Sequence, residues 1–223
     1  DTNLLAAAGH RNGKAVISLC EMKPYRHVGI FSPTVDISYM ADIVDIDAFD
    51  QRVFATVESP KAGPNLIGCN VPTQKEISLG NLSASCNAVK LNSEHAGPLT
   101  VSKFMHRLFA GNSSPPFGIA DTLHEFMSNQ PYFTRTIDVS RGFLDIVLED
   151  HAYTFYIGRP FSKGIEVGNP DNMDLRRVLD GPMSVSTLYS YKALLVGGSY
   201  TQGEIAIHNV YNGKSARVFV GPR

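Results

Sequence analysis

The chain has 223 residues, 43% of them hydrophobic and 18% charged, with a formal net charge of −1. The charged share is below the roughly 25% of ordinary soluble domains. The charge balance excludes strong electrostatic attraction of the whole chain to nucleic acid, and no apolar stretch approaches the roughly 18 residues of a membrane span. Surfaces with few charged residues are typical of extracellular proteins, viral shells and subunits that bury much of themselves against neighbours.

The two sequence features that bear on cellular compartment are the amino-terminal segment and the cysteines. The start, DTNLLAAAGHRNG, lacks the basic region and apolar run of a signal peptide, so none is expected, and the initial Asp suggests processing or trimming. Cys20, Cys69 and Cys86 form neither a disulfide framework nor a zinc spacing. We therefore expect three reduced thiols and no metal or other cofactor.

Short strands dominate the predicted elements, and the first half of the chain also holds the best helical patterns. Runs rich in β-branched and aromatic residues predict strands over 14–20, 27–31 and 52–58. Apolar residues at i, i+3, i+4 and i+7 then predict a helix over 99–111, and a second apolar stripe predicts a helix over 119–129.

The second half returns to strand patterns. A dense block predicts strands over 132–139, 143–149 and 152–158, followed by one or two helical turns over 172–182. In the last run, Asn212-Gly213 lies between alternating segments, which predicts a type I′ hairpin. The order of elements predicts a mainly β fold, an antiparallel sandwich or jelly roll with two or three short helices in the connections, as a single domain over 1–223.

His124 and Glu125 are adjacent and suggest a metal or catalytic site. A zinc helix of the HExxH type requires a second histidine at position 128, where the chain has Ser128. We interpret Glu125 as a capping residue beside a surface histidine, at the point where a helix ends before a strand.

Asp45 and Asp47 lie in the acidic stretch DIVDIDAFD and share one face of a predicted strand. Two carboxylates about 7 Å apart can bind calcium or act as a glycosidase pair. The alternative is a solvated strand face whose charges discourage edge pairing. We favour the solvated face, because calcium loops normally add Gly and carbonyl ligands in a tight turn.

A protease built from two β-barrels would have about this length. His27 followed by Asp45 has the His-then-Asp order of one catalytic triad, and Cys69 is the nearest approach to a nucleophile. No Gly-x-Ser-Gly or Gly-x-Cys-Gly turn is present. A hydrolase using His27, Asp45 and Cys69 is therefore the alternative hypothesis.

Tyr189 and Tyr191 alternate on one face of the predicted strand SVSTLYSY. Such a pair can belong to a half-buried sheet face or to a protein interface, because tyrosine supplies rigid, amphipathic contact area. We take both as candidate interface residues. A monomeric domain that binds a ligand or receptor is a further alternative.

The segment GIADTLHEFMSNQPYFTRTIDVSRGFLDIVL resembles coat proteins of picorna-like, small icosahedral RNA viruses, in which a short helix and a proline precede a strand of the jelly roll. The resemblance implies a virion coat subunit that assembles with copies of itself or related subunits. It also implies a location in the virion or host cytoplasm. A structural, self-assembling β protein is thus the leading hypothesis.

Overall fold

The computed structural model describes residues 4–11, 14–22, 25–31, 43–49, 51–58, 65–71, 73–79, 86–91, 95–114, 119–127 and 132–220. Contacts within the chain group it into two compact units, 1–96 with 129–132 and 97–128 with 133–223. This grouping does not by itself define domains, so the single domain over 1–223 stays a prediction.

The first unit contains two antiparallel sheets. The three-stranded sheet consists of β1 (Leu4–Arg11), β2 (Lys14–Met22) and β3 (Tyr25–Phe31). The four-stranded sheet consists of β4 (Ile43–Phe49), β5 (Arg52–Val57), β6 (Leu66–Asn70) and β7 (Cys86–Val89). The core of this unit includes Ile17 of the first sheet and Val53, Val57 and Ile67 of the second.

The second unit contains three four-stranded sheets. Two residues of these sheets, Ala96 and Tyr132, each the first residue of its strand, are grouped with the first unit. The sheet that we call C consists of β8 (Ala96–Ser102), β9 (Arg107–Ser114), β10 (Ile119–Met127) and β11 (Tyr132–Phe143). Sheet D consists of β12 (Asp145–Glu149), β13 (Thr154–Gly158), β14 (Lys163–Gly168) and β15 (Leu175–Met183). Sheet E consists of β16 (Thr187–Tyr191), β17 (Leu194–Ser199), β18 (Glu204–Asn209) and β19 (Ser215–Phe219).

In each sheet the strands pair in chain order, and the pairings with a determined register are antiparallel. The predicted mainly β, antiparallel fold is confirmed. A jelly roll would instead pair strands that are distant in sequence, as its Greek-key connections require. No such pairing occurs among the described strands, so these pairings do not support the jelly roll.

Sheet D is covered on both faces, because successive side chains of a strand point to opposite sides. Phe155 and Ile157 pack against sheet C, where the rings of Phe109 and Phe155 meet edge to face at 5.0 Å between centroids. Tyr156, between them in sequence, packs on the other face with Leu195 of sheet E. The three sheets of this unit are therefore stacked face to face.

The three predicted helices are wrong, because these segments form strands and turns. Residues 99–111 form parts of β8 and β9 joined by a turn, in which Phe104 is 79% exposed. Residues 119–127 form β10, with 123–126 buried without interruption, which hides the alternation of a strand. Residues 175–182 lie in β15.

The described residues contain one helix, α1 (Gln74–Ser78), which the apolar pattern did not indicate. Thr73 and Glu76 form the capping box that starts it: the Thr73 hydroxyl accepts from the Glu76 amide at 3.3 Å, and the Glu76 carboxylate accepts from the Thr73 amide at 2.7 Å. The sequence signal was present in the Thr-x-x-Glu spacing.

Two further expectations change. Cys69 and Cys86, paired across β6 and β7, form a disulfide, so the prediction of three reduced thiols is wrong for both; Cys20 is a free thiol. The last hairpin forms, but its turn is longer than a two-residue type I′ turn. Gly213 has φ of 70°, whereas Asn212 is not among the described residues with positive φ and uses its side chain to accept from the Lys214 amide.

Candidate functional site on the last sheet

One face of sheet E is buried, and the other ranges from half-buried in its centre to exposed at β16 and β19. On β17, Leu195 is fully buried against sheet D, whereas the adjacent Leu194 is 47% exposed. Gly197 lies on the buried side, where an added Cβ would come within 2.7 Å of the Ile165 side chain. Strand alternation then assigns Leu194, Val196 and Gly198 to the outer face.

The strand register identifies the rest of this outer face, which we call the E face. Tyr189 is opposite Val196, which is opposite Ile207, and Ile205 is opposite Val218. The members are uncharged: Thr187, Tyr189, Tyr191, Leu194, Val196, Gly198, Ile205, Ile207, Asn209, Ala216 and Val218. A contiguous apolar surface without charges is the usual mark of an interaction site.

The structure brings together the two tyrosines that the sequence proposed as interface residues. Tyr189 is 63% exposed and Tyr191 is 57% exposed, both on the E face. The ammonium group of Lys192 lies 5.2 Å from the centre of the Tyr191 ring, so this charge lies at the rim of the face. Sequence reasoning missed the apolar partners, because only the strand register shows that Val196 adjoins Tyr189 and that Ile207 and Val218 lie farther along the same face.

The hydrolase residues are not assembled into a described site. Cys69 is fully buried and its sulfur is bonded to Cys86, so it cannot act as the thiolate nucleophile. His27 lies in β3, and its side chain is outside the described residues. A hydrolase would need another nucleophile.

Asp45 and Asp47 lie on β4, and each carboxylate accepts a hydrogen bond from the next backbone amide, at 2.8 and 2.7 Å. No group of three or more metal-binding side chains occurs among the residues that the structure describes. Among the described residues, the weak calcium alternative thus has no third His, Cys, Asp or Glu ligand beside Asp45 and Asp47.

His124 and Glu125 are buried in β10, so the expectation of a capping Glu beside a surface His is wrong. The Glu125 carboxylate accepts from Arg107 at 2.6 Å and from Arg135 at 2.5 Å. Arg135 also donates to the Asp171 carbonyl at 2.8 Å. This network links sheet C to the turn after β14, and its satisfied charges indicate a structural role.

The His124 side chain is 3% exposed and occupies a separate, mostly apolar position. Its Nδ1 lies 3.3 Å from the Thr136 hydroxyl, its ring centre lies 5.9 Å from that of Phe133, and its Nε2 has no hydrogen-bond partner. Burial lowers the pKa of His124 below its usual 6.5, because the cationic form loses hydration. The imidazole is therefore neutral at pH 7.

The chain shares its fold with two crystal structures of low sequence identity. A computationally designed protein, Ika8, matches with a TM-score of 0.60 and 12% identity over 99% of this chain and 60% of its own. A proposed 6-phosphogluconolactonase from Bacteroides uniformis matches with a TM-score of 0.64 and 15% identity over 99% of this chain and 69% of its own. The chain thus spans about 60% to 69% of the length of these two proteins.

Comparison with protein families and with curated proteins found no match. The similarity to solved structures therefore shows the fold, and no activity follows from it. Among the described residues, no helix combines the length and apolarity needed to cross a membrane.

Proposed function

We propose that this chain is a structural β protein that associates with a second copy of itself through the E face. The observation that carries the proposal is the uncharged, apolar E face with Tyr189 and Tyr191 at its exposed end. Exposed tyrosines on an apolar surface are typical of the buried centres of protein interfaces.

The other sheets of the same unit indicate what kind of surface fits the E face. Both faces of sheet D are covered by four-stranded sheets, with side chains such as Phe109 on one side and Leu195 on the other. Two E faces related by a twofold axis would pack sheet on sheet in the same way, and because the face is uncharged, no charge would be buried without a partner.

The proposed fold is a β-propeller, in which four-stranded antiparallel sheets are successive blades. Support comes from the chain-order pairing within each sheet, the stacking of sheets C, D and E, and the similarity to the two solved structures. Both of those chains are longer than this one. A sheet from a second copy would cover the E face in the way that sheet E covers sheet D.

The test is the mass of the purified protein, measured by light scattering coupled to size exclusion over a range of concentrations. We expect the unsubstituted chain to form dimers or larger species, and Tyr189→Lys to be monomeric, since it places a charge in the E face. Val178→Lys is the matched control, because Val178 is 51% exposed on β15 and outside the E face. A strict monomer at all concentrations contradicts the proposal.

A virion coat subunit, suggested by the resemblance of residues 118–148, is a narrower form of the same proposal. It requires closed shells or rings, which negative-stain electron microscopy of the high-mass fractions detects. Discrete dimers without larger particles support self-association and count against a coat.

A further inference from the structure

A second feature lies between sheets D and E, on the side of sheet E opposite to the E face. A pocket of about 200 Å³ opens beside β13, β14 and β15 and the turn after β18. Its polar lining includes Arg176, Arg177, Tyr156 and Tyr211, and its apolar lining includes Val167 and Val210. Its volume is below the roughly 300 Å³ at which drug-sized sites begin, so it suits a small ligand.

The arginines of this pocket differ from the other arginines of the second unit. Five of those others each contact a carboxylate: Arg107, Arg135, Arg141, Arg159 and Arg217. Within the described residues, Arg176 and Arg177 form no ion pair. Both residues line the pocket, and two guanidinium groups without carboxylate partners offer several donors to an oxyanion.

The carboxylate that acts on Tyr156 is already hydrogen-bonded to the backbone. The one carboxylate among the described groups acting on Tyr156 is Glu149, and both of its oxygens accept from the backbone, from His151 at 3.1 Å and Ala152 at 2.6 Å. The two oxygens of Glu149 are therefore occupied by backbone amides.

The tyrosine hydroxyl remains a proton donor over the physiological range. Burial raises the pKa of Tyr156, the charges of Glu149 and Tyr211 raise it further, and Arg177 opposes them. Tyr211 and Arg177 each lie within electrostatic range of Tyr156.

We propose that the pocket binds a small oxyanion, a phosphate monoester or a carboxylate, that carries a short apolar or aromatic group. Arg176 and Arg177 bind the anionic oxygens, Tyr156 and Tyr211 supply further donors and ring surface, and Val167 and Val210 contact the apolar group. This site does not depend on the E face or on self-association.

The experiment is a calorimetric or NMR titration at low ionic strength with three probes of similar size: phenyl phosphate, benzoate and phenol. We expect phenyl phosphate or benzoate to bind at millimolar concentration or below, with affinity falling as salt rises. The neutral phenol should bind much more weakly. Binding of phenol as tight as that of both anions, or no binding of either anion, overturns the proposal.

Arg176→Gln/Arg177→Gln should weaken anion binding about tenfold or more, because charge-assisted hydrogen bonds are lost. Lys103→Gln/Lys163→Gln is the matched control, since it removes the same two charges from exposed positions outside the pocket. A thermal unfolding transition would verify that both variants are folded. Equal weakening in both variants would mean that net charge, and not this pocket, controls binding. Arg176→Lys/Arg177→Lys, which keeps the charge but not the planar fork, should bind with intermediate affinity.

Discussion

At the scale of single residues, the two neighbours His124 and Glu125 show opposite ways of burying a polar side chain. The Glu125 carboxylate is paired with two guanidinium groups, which replace its hydration. His124 has no charged partner on its ring, so it is buried in its neutral form and its pKa is lowered. Strand alternation sends the two side chains to opposite faces of β10, which is why one residue meets arginines and the other meets Phe133.

The buried neutral histidine predicts a pH dependence of stability. In the unfolded chain His124 gains a proton as pH falls through about 6.5, whereas in the folded chain it gains one only at lower pH. Unfolding free energy should therefore fall as pH drops below 6.5, by at most about 1.4 kcal/mol per pH unit for this group.

Denaturant unfolding between pH 7.5 and 5 measures this slope. His124→Gln should flatten it, and the exposed His151→Gln is the control. Burial also lowers the pKa of His208, so part of the slope should remain in His124→Gln. A slope that His124→Gln leaves unchanged contradicts the assignment.

At the scale of elements, the face-to-face packing of sheets D and E depends on small residues. The backbone of Val185, just before β16, lies so close to Gly158 at the end of β13 that an added Cβ would be 2.2 Å from the Val185 carbonyl oxygen. Backbone cannot move aside as the end of a flexible side chain can. Gly158 is therefore required by the packing of the two sheets and not by an unusual φ angle.

Gly158→Ala should destabilise the protein by about 1–3 kcal/mol or more, because the two sheets must separate to admit a methyl group. Gly168→Ala is the matched control in the same sheet, since its Cβ would meet the Ile157 side chain at an ordinary 3.4 Å. Chemical denaturation of both variants measures the difference. Equal stability of the two variants contradicts the close approach of Val185 to Gly158.

At the scale of the whole molecule, the disulfide lies within the first of the two units and joins residues 17 apart in sequence. A cross-link closing a loop of this length stabilises a protein by about 3 kcal/mol, since it restricts the unfolded chain. The disulfide should thus contribute a large share of the stability of the sheet formed by β4–β7.

Cys69→Ser/Cys86→Ser should lower the unfolding free energy of the first unit by about this amount. Hydrogen exchange measures this loss of stability directly, as faster exchange of the amides of β5, β6 and β7. Cys20→Ser is the control, because the Cys20 thiol is free. Protection that is the same with and without the disulfide would show that the cross-link does not stabilise this sheet.

The sequence by itself determined the mainly β, antiparallel character and the last hairpin, because β-branched runs, turn residues and strand alternation are local properties. It also placed Tyr189 and Tyr191 on one face of a strand. The helices predicted over 99–111, 119–129 and 172–182 were wrong, since two-sided burial and long turns remove the period-2 pattern that identifies a strand.

Only the tertiary structure decided which distant residues meet. The Cys69–Cys86 disulfide, the Glu125–Arg107–Arg135 network and the Arg176–Arg177 pocket each depend on strand register or on the stacking of sheets. The E face likewise becomes a continuous surface only after four strands pair. Pairing and stacking join positions far apart in the chain, and no local spacing in the sequence encodes those contacts.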